Sequence, residues 1–245
     1  MDQGAKSYWA EFVGTFTLCF IGQGAIVTLA LAGGSAGDLL AIAVAHGLAL
    51  SVMISALAST SGGHFNPAVT FSFLITGRHS LQSTIAYWVS QLLGAVAASA
   101  LLAGIFPVAV RAATHLGAAA RHPDVSVAAA VAIEAVLTFF LVTVVWGTAV
   151  DERAPKIGGF GIGLAVTMDI LMGGPLTGAA MNPARAFGAA LISGFWADHW
   201  VYWVGPVLGA SVAALTYQNL VAASRPAIPA AGPQAPAPGV PITTR

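Results

Sequence analysis

Six long apolar runs divide the chain, and most polar residues lie between them. The runs cover about 8–31, 39–59, 83–106, 126–148, 157–174 and 199–222. A membrane-spanning helix needs roughly 20 mostly apolar residues to cross about 30 Å of hydrocarbon. The pattern therefore predicts an all-α membrane protein with six transmembrane helices.

Two further apolar segments, about 66–76 and 182–193, are too short to cross a bilayer. They open with the same tripeptide, which is Asn66-Pro67-Ala68 in one and Asn182-Pro183-Ala184 in the other. Asparagine is a favoured helix N-cap, and proline fits the first helical turn because its missing N–H would have no partner there. We expect two short re-entrant helices that begin at these Asn-Pro steps.

The second half of the chain repeats the first at an offset of about 115 residues. Two recurrences show it: Gly47-Leu48-Ala49 as Gly163-Leu164-Ala165, and Tyr87-Trp88-Val89 as Tyr202-Trp203-Val204. Repeat one covers about 7–106 and repeat two about 126–222, with three spans in each. Because three is odd, the second repeat runs through the membrane in the opposite sense. Inverted repeats bring their broken helices together near the midplane, which predicts a polar pathway there.

Composition narrows the class of protein. Of the 245 residues, 57% are hydrophobic and 7% are charged, whereas an ordinary soluble domain has about 25% charged residues. This excludes a soluble enzyme and a disordered protein. A formal net charge of zero excludes a nucleic-acid partner, which would require a basic field. The single cysteine, Cys19, excludes an internal disulfide framework and a cysteine-rich metal site, and we expect no cofactor or metal.

The basic residues between the spans suggest an orientation. With the N-terminus inside, most of them are cytoplasmic (Lys6, Arg78, Arg153, Lys156), against Arg111 and Arg121 outside. We expect a multi-pass protein of the plasma membrane with both termini cytoplasmic. Residues 1–223 are expected to form a single channel domain. Residues 224–245 contain six of the 13 prolines, which predicts a disordered, Pro/Ala-rich cytoplasmic tail.

The two Asn-Pro-Ala loops resemble the paired signature loops of the aquaporins, the major intrinsic protein family. The matching segments are Gly62-Gly63-His64-Phe65-Asn66-Pro67-Ala68-Val69 and Met181-Asn182-Pro183-Ala184-Arg185. The resemblance extends over about 8–222. It implies a right-handed bundle of six helices and two half-helices, assembled in the lipid bilayer as a homotetramer. Each subunit would contain its own pore for water or small neutral solutes.

The resemblance also implies a selectivity filter of four side chains, at His46, Ile170, Ala179 and Arg185. Water-selective members would carry an aromatic residue at position 46 and a histidine at position 170. The set here is instead similar to that of the tonoplast intrinsic and ammonia-permeable aquaporins.

A histidine in the long middle connection adds to this filter by resemblance. His115 resembles a loop histidine that lines the vestibule in some of those proteins, and His122 is the alternative. Asp169, beside the filter in the fifth span, has no partner that the sequence identifies.

The asparagines and the arginine suggest how ions are excluded. The Asn66 and Asn182 amides can each donate hydrogen bonds to a passing water. The N-termini of the two short helices add a positive field that opposes cations and protons, and Arg185 adds a fixed charge. This predicts a passive channel for water that also passes ammonia and other small neutral solutes (urea, hydrogen peroxide).

Two carboxylates lie inside spans at equivalent places of the repeat. The resemblance implies that Glu11 and Glu134 accept hydrogen bonds from the backbone of their own Asn-Pro-Ala loops. The alternative is a proton-coupled transporter that uses both carboxylates as a relay. A glycerol facilitator is disfavoured, because Ala186 and Ala190 stand where those proteins carry an acidic and a basic residue. An adhesive, junction-forming membrane protein is a third alternative, and it would form tetramers without permeability. An intramembrane enzyme has no support, because the sequence shows no paired nucleophile and base on a common helix face.

Overall fold

The computed structural model describes residues 3–34, 38–154 and 157–222, and helices account for most of them. The predicted tail, 224–245, lies outside these ranges, as does Lys156. The helices are α1 (Gln3–Leu31), α2 (Leu39–Ser61), α3 (Pro67–Ile75), α4 (Leu81–Ile105), α5 (Val108–Ala113), α6 (Val127–Val145), α7 (Phe160–Thr177), α8 (Pro183–Ser193) and α9 (Val201–Thr216). A 3₁₀ turn follows α5 (His115–Gly117), and π-helical turns extend α6 (Trp146–Val150) and α9 (Tyr217–Ala222).

The prediction of six spanning helices is confirmed. Five of them, α1, α2, α4, α6 and α7, are long and apolar enough to cross a membrane. The sixth, α9, has 16 α-helical residues and gains six more from its π-helical turn. The main differences lie at the ends: α1 begins at Gln3, and α7 continues to Thr177 with Pro175 inside it.

Both Asn-Pro steps start short helices. The Asn66 side chain accepts a hydrogen bond from the Ala68 N–H, and Pro67 occupies the first turn of α3. The Asn182 side chain accepts from the N–H groups of Ala184 and Arg185 at the start of α8. With 9 and 11 residues, these helices extend only about 14 and 17 Å, which is half a bilayer.

The two repeats pack in equivalent ways and interlock. In the first, α1 packs on α2 and α4, and in the second, α6 packs on α7 and α9. Each short helix then packs against a long helix of the other repeat, α3 on α9 and α8 on α4. The short helices are therefore held between the repeats, at the centre of the bundle.

Glycine allows the closest helix crossings, and it does so at repeat-equivalent positions. A Cβ at Gly94 would lie 2.4 Å from the Phe12 carbonyl oxygen, and one at Gly209 would lie 1.9 Å from that of Ala135. These are the α1–α4 and α6–α9 crossings. Backbones that approach this closely are typical of helix packing in membranes.

Polar and apolar side chains are distributed as expected for a protein embedded in a bilayer. Leu48, Leu93 and Leu208 on the outer surface are each more than half exposed, whereas Glu11 and Glu134 are completely buried. Ionisable groups in a membrane segment face the bundle interior, where they find partners. The polar centre of this bundle is therefore the place to look for function.

Candidate functional site

The tips of α3 and α8 meet through a reciprocal pair of hydrogen bonds. The Asn66 Nδ2 donates to the Met181 carbonyl at 2.7 Å, and the Asn182 Nδ2 donates to the Phe65 carbonyl at 2.9 Å. Each asparagine therefore caps its own helix with its side-chain oxygen and donates a hydrogen bond to the opposite loop with its side-chain nitrogen. The positive ends of both helix dipoles point at one place near the middle of the bundle.

Glu11 holds the loop that precedes α3. Its carboxylate accepts from the N–H groups of His64 and Phe65 at 2.9 and 2.7 Å. The Ser61 hydroxyl and the Gln91 amide donate to it as well. A buried carboxylate is tolerated only when its oxygens are satisfied, and here four donors do so.

Glu134 does the same for the loop that precedes α8. It accepts from the N–H groups of Ala180 and Met181 at 2.9 and 2.7 Å, and from the Thr177 hydroxyl at 2.7 Å. Both loops need such support because Phe65 and Met181 adopt positive φ angles of 47° and 50°. That backbone conformation is costly for residues other than glycine and persists only when the surroundings impose it.

A narrow cavity lies beside these tips, and most of the predicted site residues line it. Its wall includes both asparagines and all four predicted filter positions, His46, Ile170, Ala179 and Arg185. Apolar side chains from the long helices form much of the remaining wall, among them Leu18, Leu50, Leu141, Val145, Ile162 and Val166. The result is a mainly apolar cavity with polar groups at two levels. One level is formed by Asn66 and Asn182, and the other by His46 and Arg185.

Arg185 is locked in place at one of these levels. Its Nη1 donates to the Ala179 carbonyl at 2.9 Å, and Nη1 and Nη2 both donate to the Gly178 carbonyl at 3.3 Å. The side chain forms no salt bridge with any acidic residue in the described part of the chain. A fixed positive charge therefore lies beside the cavity.

The His46 side chain faces Arg185 with its unprotonated ring nitrogen. The His46 Nδ1 lies 2.8 Å from the Ile42 carbonyl, which can only accept, so Nδ1 carries the proton. The His46 Nε2 then accepts from the Arg185 Nε at 3.2 Å. The ring has room because Gly22 lies against it: a Cβ there would be 2.3 Å from the imidazole.

Within the described residues, His115 is not part of the wall of this cavity, and its role at the vestibule stays a prediction. The His115 ring is exposed and stacks on Phe195, with 4.2 Å between ring centroids. The buried part of this connection is instead Leu116 and Gly117, and Gly117 packs against Gln23 of α1. The alternative, His122, is also exposed and lies 3.7 Å from Asp124.

Asp169 is buried in α7 but does not line the cavity. Within the described residues, its Oδ2 has no hydrogen-bond partner. The structure thus leaves this carboxylate as unexplained as the sequence does.

Several polar residues of the site had no assigned role from sequence. The Tyr87 and Tyr202 hydroxyls donate to the Ser61 and Thr177 carbonyls at equivalent places of the two repeats. The recurring Tyr-Trp-Val triplet was the available signal for this pair. His64 lines the cavity next to Asn66, with its Nδ1 3.2 Å from the Thr70 hydroxyl.

Comparison with known proteins gives consistent matches over almost the whole described chain. Residues 2–217 match the family described as MIP, Major intrinsic protein. The chain is 44% identical to "Probable aquaporin TIP3-2" of Arabidopsis thaliana, covering 86% of this chain and 82% of that protein. It is 45% identical to "Aquaporin TIP4-4" of Zea mays, covering 88% and 86%. The X-ray structure of the aquaglyceroporin from Plasmodium falciparum superposes with a TM-score of 0.79 at 26% identity, covering 89% and 97%.

Proposed function

Because this chain belongs to the major intrinsic protein family and is an integral membrane channel, not an enzyme, we propose that it conducts water passively and excludes ions and protons. The observation that carries this proposal is the reciprocal hydrogen bonding of Asn66 and Asn182 to the opposite loops, beside a mainly apolar cavity. Apolar walls give a passing water few partners, so the two helix tips become the place where it is oriented. The converging positive helix ends oppose a cation at the same place.

The direct test is the shrinkage rate of vesicles that contain the purified protein, after a step in an impermeant osmolyte. We expect water to leave much faster than from empty vesicles, while the internal pH stays constant under a proton gradient. Water flux equal to that of empty vesicles would refute the proposal.

Arg185 and His46 are proposed to form the selectivity filter with Ile170 and Ala179. The support is geometric, because all four line one stretch of the cavity and the arginine is fixed by carbonyl groups. An Arg185→Val variant removes a fixed charge, so we expect cation leak through vesicles to rise while water flux persists. A variant with the parental leak would remove Arg185 from this role.

Ammonia, urea and hydrogen peroxide are proposed as further solutes. The support is the filter composition, since Ile170 and Ala179 leave more apolar space than an aromatic residue or histidine would. Uptake of an ammonium salt by the same vesicles, compared with empty ones, tests the ammonia part. Glycerol is the appropriate comparison solute, because the matching solved structure is named an aquaglyceroporin.

The proton-coupled alternative has little support in the geometry. Both oxygens of Glu11 and of Glu134 accept hydrogen bonds from the loop backbone, so a proton arriving there would displace a loop contact. Solute accumulation driven by a pH gradient would reverse this conclusion.

Assembly and location also belong to this proposal. Residues 1–223 form one channel domain, which we expect to assemble as a homotetramer in lipid with both termini on the same side. The relatives named TIP favour a tonoplast-type membrane over the plasma membrane expected from sequence. Cross-linking of the purified protein, with a four-subunit limit, tests the assembly.

A further inference from the structure

Gln23 is a completely buried amide that lies directly behind the filter arginine. Its Nε2 donates to the Arg185 carbonyl at 2.8 Å. Its Oε1 accepts from the hydroxyl of Ser99, which is also completely buried, at 3.0 Å. Two hydrogen bonds thus join α1, α4 and the first turn of α8.

Such a pair is not needed for packing alone. A buried amide is destabilising unless its polar atoms find partners, and an apolar side chain of the same size would avoid that penalty. Gln23 donates to the backbone carbonyl of Arg185, and the guanidinium of the same residue faces the cavity. Gln23 therefore acts on the main chain of Arg185, while the Gly178 and Ala179 carbonyls act on its side chain.

The neighbouring residue of α1 contacts His46, the hydrogen-bond partner of the Arg185 side chain. Gly22 lies against the His46 ring, and a Cβ there would be 2.3 Å from it. Consecutive residues of one helix thus touch both His46 and Arg185. Because His46 and Arg185 are hydrogen-bonded to each other, the placement of this pair beside the cavity depends on how α1 is held against α8.

We propose that Gln23 is a positioning residue of the selectivity filter, which fixes the backbone of Arg185 and thereby the position of the hydrogen-bonded Arg185–His46 pair at the cavity wall. Gln23 is absent from the cavity wall, so its effect reaches the solute only through Arg185. This proposal rests on the proposed function, because it concerns the selectivity of that channel.

The test is the ratio of glycerol to water permeability, measured on the same vesicles so that the number of channels cancels. Gln23→Leu removes both hydrogen bonds at similar volume, and we expect the ratio to rise about threefold or more, the scale of losing one neutral hydrogen bond. Gln23→Glu is the conservative variant: as a neutral carboxylic acid it keeps a donor and an acceptor, and the ratio should return towards that of the parent. Thr17→Val is the matched control, because the Thr17 hydroxyl donates to the Val13 carbonyl within α1 and does not reach α8.

Each outcome decides the question. A parental ratio in Gln23→Leu overturns the proposal, and so does an equal rise in Thr17→Val. If Gln23→Leu does not reach the membrane, Gln23→Met decides, since it also removes both hydrogen bonds at similar volume: a raised ratio supports the role and a parental ratio refutes it. A parent protein without water permeability refutes the proposed function itself, whereas a permeable parent with unchanged variant ratios refutes only the role of Gln23.

Discussion

Single residues at the centre of this bundle satisfy backbone groups that no helix could satisfy. The residues just before each short helix, Phe65 and Met181, are left-handed and buried, so their N–H groups point away from any regular partner. Glu11 and Glu134 accept from them at 2.7 Å each. The carboxylates thus hold each strained loop in one conformation. Because these loops form part of the cavity wall, that part of the wall is fixed as well.

Glu134→Gln should therefore destabilise the protein more than its small change in shape suggests. An amide presents one accepting oxygen where the carboxylate presents two, so at least one buried N–H loses its partner at a cost of about 1–3 kcal/mol. We expect a lower thermal midpoint in detergent and reduced water flux. The surface variant Glu152→Gln is the control, and equal midpoints for the two variants would contradict the argument.

Gly22→Ala should disturb the proposed filter without any polar change. The added Cβ would lie 2.3 Å from the His46 ring, so the imidazole must shift away from its position beside Arg185. We expect a loss of stability of about 1–3 kcal/mol from the overpacking, and a lower water flux per channel, because the displaced imidazole lines the cavity. Gly24→Ala is the control in the same helix, since its Cβ would meet only the flexible end of Leu102 at 3.3 Å. Parental flux in Gly22→Ala would show that His46 does not limit the passage.

Site residues that belong to a sequence motif can be predicted from the sequence. Site residues that are defined only by a tertiary contact cannot. Asn66, Asn182 and Arg185 were identifiable because two copies of a tripeptide marked them. Gln23 was hidden, because one amide within an apolar run does not tell which helix it faces. The direction of the His115 ring was not predictable, because its connection turns through positive φ angles at His115 and Leu116, which no local pattern indicates.

At the level of helices, the apolar pattern predicted every long element, and side-chain caps explain the starts of α4 and α6. Ser80 and Ser126 accept from N–H groups in the first turns of α4 and α6, which are predictable N-cap positions. The ends were less predictable. α6 and α9 finish in π-helical turns, and the Tyr217 hydroxyl of the α9 extension lies 3.2 Å from Asp151, just beyond that of α6. A tertiary contact of this kind leaves no periodic trace in the sequence.

The helix crossings make their own prediction. Gly209→Ala places a Cβ 1.9 Å from the Ala135 carbonyl oxygen, so α6 and α9 must move apart. We expect a loss of stability of about 1–3 kcal/mol, read as a lower thermal midpoint. Gly104→Ala in α4 is the matched control, because its Cβ would meet nothing within 4 Å, and helix propensity alone favours alanine there. A thermal midpoint for Gly209→Ala at or above that of Gly104→Ala would show that the α6–α9 crossing accommodates a Cβ without loss of stability.

At the scale of the whole molecule, the titratable groups outside the spans gather at the two ends of the bundle. At one end, hydrogen bonds from Arg153 hold the pKa of Asp151 well below its usual range, so this carboxylate stays ionised under all mild conditions. At the same end, partial burial lowers the pKa of His79 below 6.5. At the other end, partial burial lowers the pKa of His199 in the same way. His79 and His199, and not Asp151, are therefore the groups of this set that link folding stability to pH in mild acid.

Stability should fall as the pH drops from 7.5 to 5.5. The folded protein favours the neutral rings of His79 and His199, whereas in the unfolded chain both regain a pKa of about 6.5. The unfolded state then binds more protons than the folded state over this window, so the stabilisation that is present above the unfolded pKa is lost on acidification. Thermal midpoints in detergent at the two pH values measure the difference. His79→Gln should make the midpoint less sensitive to pH, whereas His122→Gln, at a well-exposed ring, should leave the sensitivity unchanged. A midpoint that rises on acidification, or an unchanged slope in His79→Gln, would show that the burial of His79 is not coupled to folding.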